Sequence, residues 1–323
     1  MEQNTISKTQ AQFAQDVKDG LMASPKHLSS KYIYNQKGDM LFERIMELSE
    51  YYLTECEFDI LNKNKEQITA LFLQNAASLN LVELGAGNGK KTKIILKQLL
   101  KTNREFRYVP IDISDNALAK LKNSLSLEFP NIKVIPKQGT YFNMLETIES
   151  SETIKNVILF LGSNIGNLTR DQAIIFLAKL AKGMHGNDMI FIGCDQKKNP
   201  QTILNAYNDP HGVTEAFNKN LLERINKDLN ANFNLDNFIH WEVYDPESGT
   251  AKSYLVSKTA QRVTIESLDL EIDFKAWETI HTEISQKYDD AHIADLAQAA
   301  GLRILTQFSD DKNYFKNYIL IKK

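Results

Sequence analysis

The feature that most constrains this chain is a rhythm between residues 81 and 196, where short apolar runs alternate with helical patterns. The runs fall at residues 81–84, 108–112, 132–135, 157–161 and 189–193, and helical periodicity fills 91–100, 116–127 and 171–182. A strand that is apolar throughout has to be covered on both faces. Helical crossovers supply that cover, so the stretch predicts βαβ units and a parallel sheet. The end of the chain returns to the same style. Residues 293–300 read as a helix capped by Gly301, and 302–308 and 317–321 as strands. Only residues 309–313 separate these two strands, too few for a helical crossover, so they are expected to be antiparallel neighbours.

The flanking stretches read differently. Ile6, Phe13, Val17 and Leu21 recur at helical spacing, as do Met40, Leu41, Ile45 and Leu48, with a break at Ser24-Pro25-Lys26-His27. Tyr32, Tyr34, Tyr51 and Tyr52 suggest a wall of rings with hydroxyl tips, for which core and rim packing is the plainer role. Val213, Phe217, Leu221, Ile225 and Leu229 step by four along one helix face. Two alternating runs, 253–257 and 262–265, lie too close together for a crossover helix and are expected to pair antiparallel. The resulting expectation is a sheet domain of residues 61–196 and 287–323, and a second domain of residues 1–60 and 197–286.

Composition excludes several function classes. The balance of 38 basic and 41 acidic residues leaves −3, so no electrostatic footprint for duplex nucleic acid or an anionic membrane is expected. The two cysteines, Cys56 and Cys194, make neither a disulfide framework nor a zinc spacing, which points to a reducing cytoplasm. The amino terminus lacks an apolar signal core, and no apolar run reaches the ~18 residues of a membrane-spanning helix. His27, His185, His211, His240, His281 and His292 show no metal-like pairing and read as surface or packing residues, so no metal is expected.

The strongest local motif is Glu83-Leu84-Gly85-Ala86-Gly87-Asn88-Gly89-Lys90-Lys91-Thr92, which ends a strand and opens a helix. Glycines let the backbone turn and let a ligand approach, and the helix start offers free N–H groups that suit a carboxylate as well as a phosphate. Asp112 ends the next strand, where an acid accepts hydrogen bonds from ribose hydroxyls. The spacing is G-x-G-x-G rather than the G-x-G-x-x-G of dinucleotide sites. Glu83 would repel a pyrophosphate and can pair with a cationic amine instead. Together these residues favour S-adenosyl-L-methionine (SAM), which carries an amine, a carboxylate and a ribose but no phosphate. A turn that merely needs glycine is the plainer alternative.

At wider range the chain resembles the histidine-specific, SAM-dependent Nα-methyltransferases that form hercynine on the route to ergothioneine. The resemblance runs nearly end to end. It is carried by Lys31-Tyr32-Ile33-Tyr34, Leu41-Phe42-Glu43-Arg44-Ile45, Glu50-Tyr51-Tyr52-Leu53-Thr54, and Phe160-Leu161-Gly162-Ser163-Asn164-Ile165-Gly166-Asn167-Leu168. Ala206-Tyr207-Asn208-Asp209, Phe217-Asn218-Lys219-Asn220 and Thr282-Glu283-Ile284-Ser285-Gln286-Lys287 extend it. The resemblance implies an α/β, class I SAM-dependent methyltransferase fold: Rossmann-like, with a mostly parallel seven-stranded sheet, an antiparallel terminal hairpin and a second α+β substrate domain. It implies Gly85, Lys91 and Asp112 as cofactor contacts, with Lys91 on the SAM carboxylate, and Thr140 and Tyr141 at the adenine. Where the family has an acidic residue before the aromatic, this chain has Thr140, a weaker acceptor. It implies Asn167 and Tyr207 at the substrate α-carboxylate, and Tyr51, Glu283 and Ser285 around the imidazole.

These residue types suit the chemistry. Methyl transfer from a sulfonium is an in-line displacement by a neutral amine, in which the protein mainly aligns the reactants ~3–3.5 Å apart. A carboxamide and a phenol can hold a carboxylate through neutral hydrogen bonds, and Glu283 and Ser285 can serve the two ring nitrogens. If residues 283–285 are extended, both side chains fall on one side. The site is expected between the domains, as small-molecule sites often are. No general base is assigned, so Tyr51, Asn167 and Tyr207 are expected to act by positioning. The expected acceptor is a free amino acid, L-histidine, trimethylated by a cytoplasmic monomer. Two alternatives stand beside it. One is an N-methyltransferase of another amino acid such as a tryptophan derivative, since Ser253 replaces a larger apolar residue of the histidine enzymes near the ring. The other is a non-catalytic SAM-binding protein.

Overall fold

A computed structural model describes residues 8–139 and 154–323. In chain order its helices are α1 (Lys8–Met22), α2 (Gln36–Ile45), α3 (Leu53–Leu73), α4 (Thr92–Leu99), α5 (Asp115–Glu128), α6 (Arg170–Gly183), α7 (Pro200–Tyr207), α8 (Val213–Leu229) and α9 (Asp290–Ala299). Its strands are β1 (Lys26–His27), β2 (Ser78–Leu84), β3 (Glu105–Asp112), β4 (Lys133–Val134), β5 (Lys137–Gln138), β6 (Ile154–Phe160) and β7 (Met189–Asp195). They continue with β8 (Phe238–Asp245), β9 (Thr250–Ser257), β10 (Gln261–Ile265), β11 (Leu270–Phe274), β12 (Thr279–Gln286), β13 (Leu302–Ser309) and β14 (Phe315–Lys322). The chain divides into two units, Tyr52–Lys198 with Gln286–Lys323, and Met1–Tyr51 with Asn199–Ser285. The expected boundary near residue 60 falls inside α3, a single helix that belongs with the sheet.

The larger unit is built on one sheet in the order β13-β14-β7-β6-β2-β3-β4, with β5 also beside β3. The β2–β3, β2–β6, β6–β7 and β3–β4 pairs are parallel, whereas β14 runs antiparallel to both β7 and β13. The βαβ rhythm and the closing hairpin therefore appear as read. The expected third strand is broken in two, because Pro136 between β4 and β5 has no N–H for the ladder. Residues alternate across the sheet. Val82, Val109, Ile158, Ile190 and Ile192 pack with Phe176, Leu177 and Leu180 of α6 and Leu296 of α9. On the other face Phe191 meets Phe72 of α3 at 5.5 Å between ring centroids. Burial on both faces is the reason these strands are apolar throughout.

The smaller unit holds a four-stranded sheet, β1-β12-β9-β8, and a separate pair, β10-β11. The expected pairing of 253–257 with 262–265 is not formed. β9 is flanked instead by β12 and by β8, which it meets antiparallel with His240 opposite Leu255 and Glu242 opposite Ser253. β10 turns back through residues 266–269 onto β11, placing Val263 opposite Ile272. Sequence proximity favoured the nearer run, but β8, with polar residues at alternate positions, offers β9 a longer ladder of eight paired residues. The stripe on α8 is buried as expected at Val213, Phe217, Leu221, Ile225 and Leu229. The ring wall is partly formed. Tyr34 stacks edge-on to Phe217 at 5.5 Å, Phe42 to Tyr51 at 6.3 Å, and Tyr51 to Tyr207 at 6.1 Å. Tyr52 leaves this wall and belongs to the larger unit.

Candidate active site

In the larger unit, β2 ends at Leu84 and the chain turns through the glycine loop into α4. The loop is pinned to the end of β3: Gly85 donates to the Ile111 carbonyl at 2.8 Å and Gly87 to Asp112 Oδ2 at 3.1 Å. Asp112 Oδ1 accepts from the Ser114 amide at 2.9 Å. Two glycines have separate physical reasons. Gly89 has φ +65°, and a Cβ there would lie 2.5 Å from Leu121 Cδ1 of α5, so a side chain would strain the backbone and force the Leu121 methyl to move. Gly87 has φ +51°, and a Cβ there would point into open space. A substitution at Gly87 therefore strains the backbone and fills the approach to the loop. An exposed turn beside a helix start, backed by a half-buried carboxylate, fits the amino-acid end and ribose of SAM.

Glu83 does not do what its place in the motif suggested. Its carboxyl is buried and accepts from Thr92 Oγ1 and Tyr108 OH. Burial pushes its pKa up to about 7, against the opposing pull of those two hydrogen bonds. The side chain is directed into the fold, where it ties β2 to α4 and β3, and is not presented to a cofactor amine.

Lys91 is the residue before α4, and its ammonium pairs with Glu57 Oε2 of α3 at 2.6 Å. The same Glu57 oxygen accepts from the Gly162 amide at 2.8 Å, and Oε1 accepts from Asn317 Nδ2 at 2.8 Å. Asn167 ends the short 3-10 turn Asn164–Asn167 after β6, half-buried, with no hydrogen-bond partner for its carboxamide among the described residues. Thr140 and Tyr141 lie outside the described residues.

At the carboxyl end of β7 lies a cluster that sequence reasoning missed. Asp195, fully buried, accepts from Lys198 at 2.5 Å and Lys287 at 3.0 Å, and from Tyr52 OH at 2.9 Å. Burial raises the Asp195 pKa, but the two ammonium groups outweigh it and hold the carboxyl below its usual range. Burial lowers that of Lys198 more than Asp195 restores it. The available signal was a buried apolar strand, Met189-Ile190-Phe191-Ile192-Gly193-Cys194, ending on an acid and followed by two lysines.

The smaller unit brings together three of the residues expected at the substrate. Tyr207 OH and Ser285 Oγ are 2.9 Å apart, and the Tyr51 ring stands edge-on to that of Tyr207. Glu283 lies two residues before Ser285 in extended β12, half-buried. Behind them runs a neutral buried network. His240 Nε2 lies 2.8 Å from the Tyr207 carbonyl, which only accepts, so this nitrogen carries the proton and Nδ1 accepts from Asn218 Nδ2 at 3.0 Å. Asn218 Oδ1 accepts from Thr282 Oγ1 at 2.9 Å. Desolvation lowers the His240 pKa, keeping the ring neutral. Of the six histidines read as surface or packing residues, His240 has this buried bonding role, and His292 Nδ1 lies 2.8 Å from Asp289 Oδ1. Ser253 is buried on the same sheet and donates to Glu242 at 2.6 Å. Among the described residues no group of three or more His, Cys, Asp or Glu is arranged to hold a metal, and no helix is long and apolar enough to cross a membrane.

Comparison with known proteins gives a consistent result. A family model described as a histidine-specific, SAM-dependent methyltransferase matches residues 13–322. The chain is 35% identical over 301 residues to the histidine N-alpha-methyltransferase of Mycolicibacterium smegmatis, covering 93% of this chain and 92% of that one. It is 28% identical over 302 residues to ergothioneine biosynthesis protein 1 of Schizosaccharomyces pombe, covering 92% of this chain and 39% of that longer protein. Among solved structures, the CcbJ methyltransferase from Streptomyces caelestis aligns with 80% of this chain and 95% of its own at a TM-score of 0.45 and 13% identity.

Proposed function

This chain belongs to the histidine-specific, SAM-dependent methyltransferase family, and from that premise we propose that it trimethylates the α-amino group of L-histidine to hercynine. Its fold is that of a class I SAM-dependent methyltransferase and SAM is its cofactor. Bound SAM supplies a methyl group on a sulfonium, an electrophile that needs neither a metal nor a covalent enzyme intermediate.

The residues of the chain then bind and orient. The Gly85–Gly87 turn and Lys91 take the amino-acid end of the cofactor, and Asp112 accepts from the ribose. Asn167 and Tyr207 take the α-carboxylate of the acceptor through neutral donors, which leaves the product's fixed positive charge without a competing cation. Glu283 and Ser285 accept from and donate to the ring, beside Tyr51. A buried polar pair rejects an acceptor that leaves it unpaired, by factors that reach ~10⁴. The observation that best supports this reading is the hydrogen bond between Tyr207 and Ser285, which presents a phenol and a hydroxyl side by side in a buried spot. The His240 bond to the Tyr207 carbonyl holds that phenol from behind.

The test is turnover. Incubated with SAM and each amino acid in turn, the protein is expected to add up to three methyl masses to histidine, all on the α-nitrogen. Methylation confined to tryptophan or its derivatives would replace the acceptor. SAM binding without product from any amino acid would make the protein a sensor of the cofactor.

A further inference from the structure

Glu57 is a buried carboxylate that the reading above leaves without a role. Its side chain is 0% exposed, on the first turns of α3, yet three donors from three other places in the larger unit converge on it. These are the Lys91 ammonium before α4, the Gly162 amide after β6 and the Asn317 carboxamide on β14. Room has been left for it, since a Cβ on Gly193 of β7 would lie 2.1 Å from Glu57 Oε1. Lys91 lies beside the bend after β6, with its ammonium 3.7 Å from where a Cβ of Gly162 would be. Its side chain is 16% exposed, and among the described residues Glu57 takes one of its three N–H bonds.

We infer that Glu57 is a positioning residue for the amino-acid end of the cofactor, acting through Lys91. The inference rests on the reading of Lys91 as a cofactor contact. A lysine is a point charge on a flexible stem, and left alone it loses rotamer freedom each time it grips a ligand. Glu57 holds the ammonium in one place beforehand, with two N–H bonds left to give. Glu57 also offsets its charge. A lone cation behind a glycine turn suits a phosphate, whereas a paired one suits a ligand end that is itself a zwitterion, carrying an amine beside its carboxylate. The pair therefore bears on which cofactor the turn accepts as well as on how tightly.

Two ligands separate this role from simple structural support. S-Adenosylhomocysteine carries the amino-acid end, and 5′-methylthioadenosine has the same nucleoside without it. By calorimetry, Glu57→Gln is expected to weaken S-adenosylhomocysteine about 10-fold, the scale of a charge-assisted bond, and to leave 5′-methylthioadenosine within about 2-fold. Lys91→Met is expected to show the same selectivity, and the double variant to be no worse than Lys91→Met alone. Equal losses for both ligands in Glu57→Gln, or additive losses in the double variant, overturn the inference. If Lys91→Met itself fails to discriminate the ligands, the reading of Lys91 falls. If Lys91→Met discriminates and Glu57→Gln does not, only the role of Glu57 falls. Should Glu57→Gln fail to fold, Asn317→Ala frees one oxygen of Glu57 and keeps its charge. It is expected to give a smaller loss of about 3-fold, confined to S-adenosylhomocysteine, and no selective loss there overturns the inference equally.

Discussion

The main polar clusters of the two units differ in kind. In the larger one, Asp195 sits between two lysines and Glu57 holds a third, so the ends of β6, β7 and β14 are tied by charges taken out of water. In the smaller one, Tyr207, His240, Asn218, Thr282 and Ser285 are joined by neutral hydrogen bonds. A buried charge holds only while its partner is present, because desolvation costs several kcal/mol per ion. A neutral group costs far less to leave alone. Charge therefore suits a frame that has one arrangement. Hydroxyls and amides, which turn and exchange partners, suit a surface that reads a substrate.

This difference is testable from its strongest consequence downward. Asp195→Ala removes the carboxylate that the buried Lys198 and Lys287 ammonium groups share and is expected to cost about 3–5 kcal/mol of unfolding free energy in urea melts, with Asp195→Asn milder. A loss below about 1 kcal/mol would mean the lysines find water, and the frame is not charge-dependent.

The next effect is on pH. The folded-state pKa of Glu83 is about 7 against 4.5 for the ordinary side chain, so the folded state binds the proton more tightly. Its contribution to stability is complete below the unfolded value and is lost as pH rises toward the folded one, worth about 2–4 kcal/mol across that window. Glu83→Gln is expected to remove this slope, seen as urea midpoints that fall less between about pH 5 and about pH 8 than those of the parent. An unchanged slope would assign the pH dependence to other groups.

On the reading side, Glu283→Ala is expected to lower kcat/KM for histidine about 100-fold while SAM affinity stays within about 2-fold. Asp112→Ala is expected to do the reverse, weakening SAM about 10-fold by calorimetry. Parallel losses in both ligands for either variant would erase the division of labour. The smallest effect is Thr282→Val, expected to cost about 1 kcal/mol because the network it leaves is neutral. A loss as large as that of Asp195→Ala would show the two clusters to be alike.

Much of this was legible locally. The apolar runs announced the parallel sheet, and the stepped residues of α8 face inward as their spacing required. The glycine loop reports its own conformation, since only glycine enters positive φ freely at Gly87 and packs against Leu121 at Gly89. Other elements misled. Glu83 stands inside the motif yet is bonded to Tyr108, 25 residues away, and β9 prefers β8 to the nearer β10. Glu57 and Asp195 look in the sequence like ordinary helix and strand-end acids.

What the sequence determined by itself was therefore the alternating strands and helices of the larger sheet, its closing hairpin, the buried stripe of α8 and the family to which the chain belongs. Helical and strand periods, glycine backbones and ordered motif blocks are all properties of neighbouring residues. Only the tertiary structure decided where each buried acid finds its partners: Glu57 meets the Lys91 ammonium across 34 residues, and Asp195 meets the Lys287 ammonium and, across 143 residues, the Tyr52 hydroxyl. A carboxylate's pKa and role depend on what stands within a few ångströms of it, and that distance is set by packing between elements rather than by any pattern along the chain.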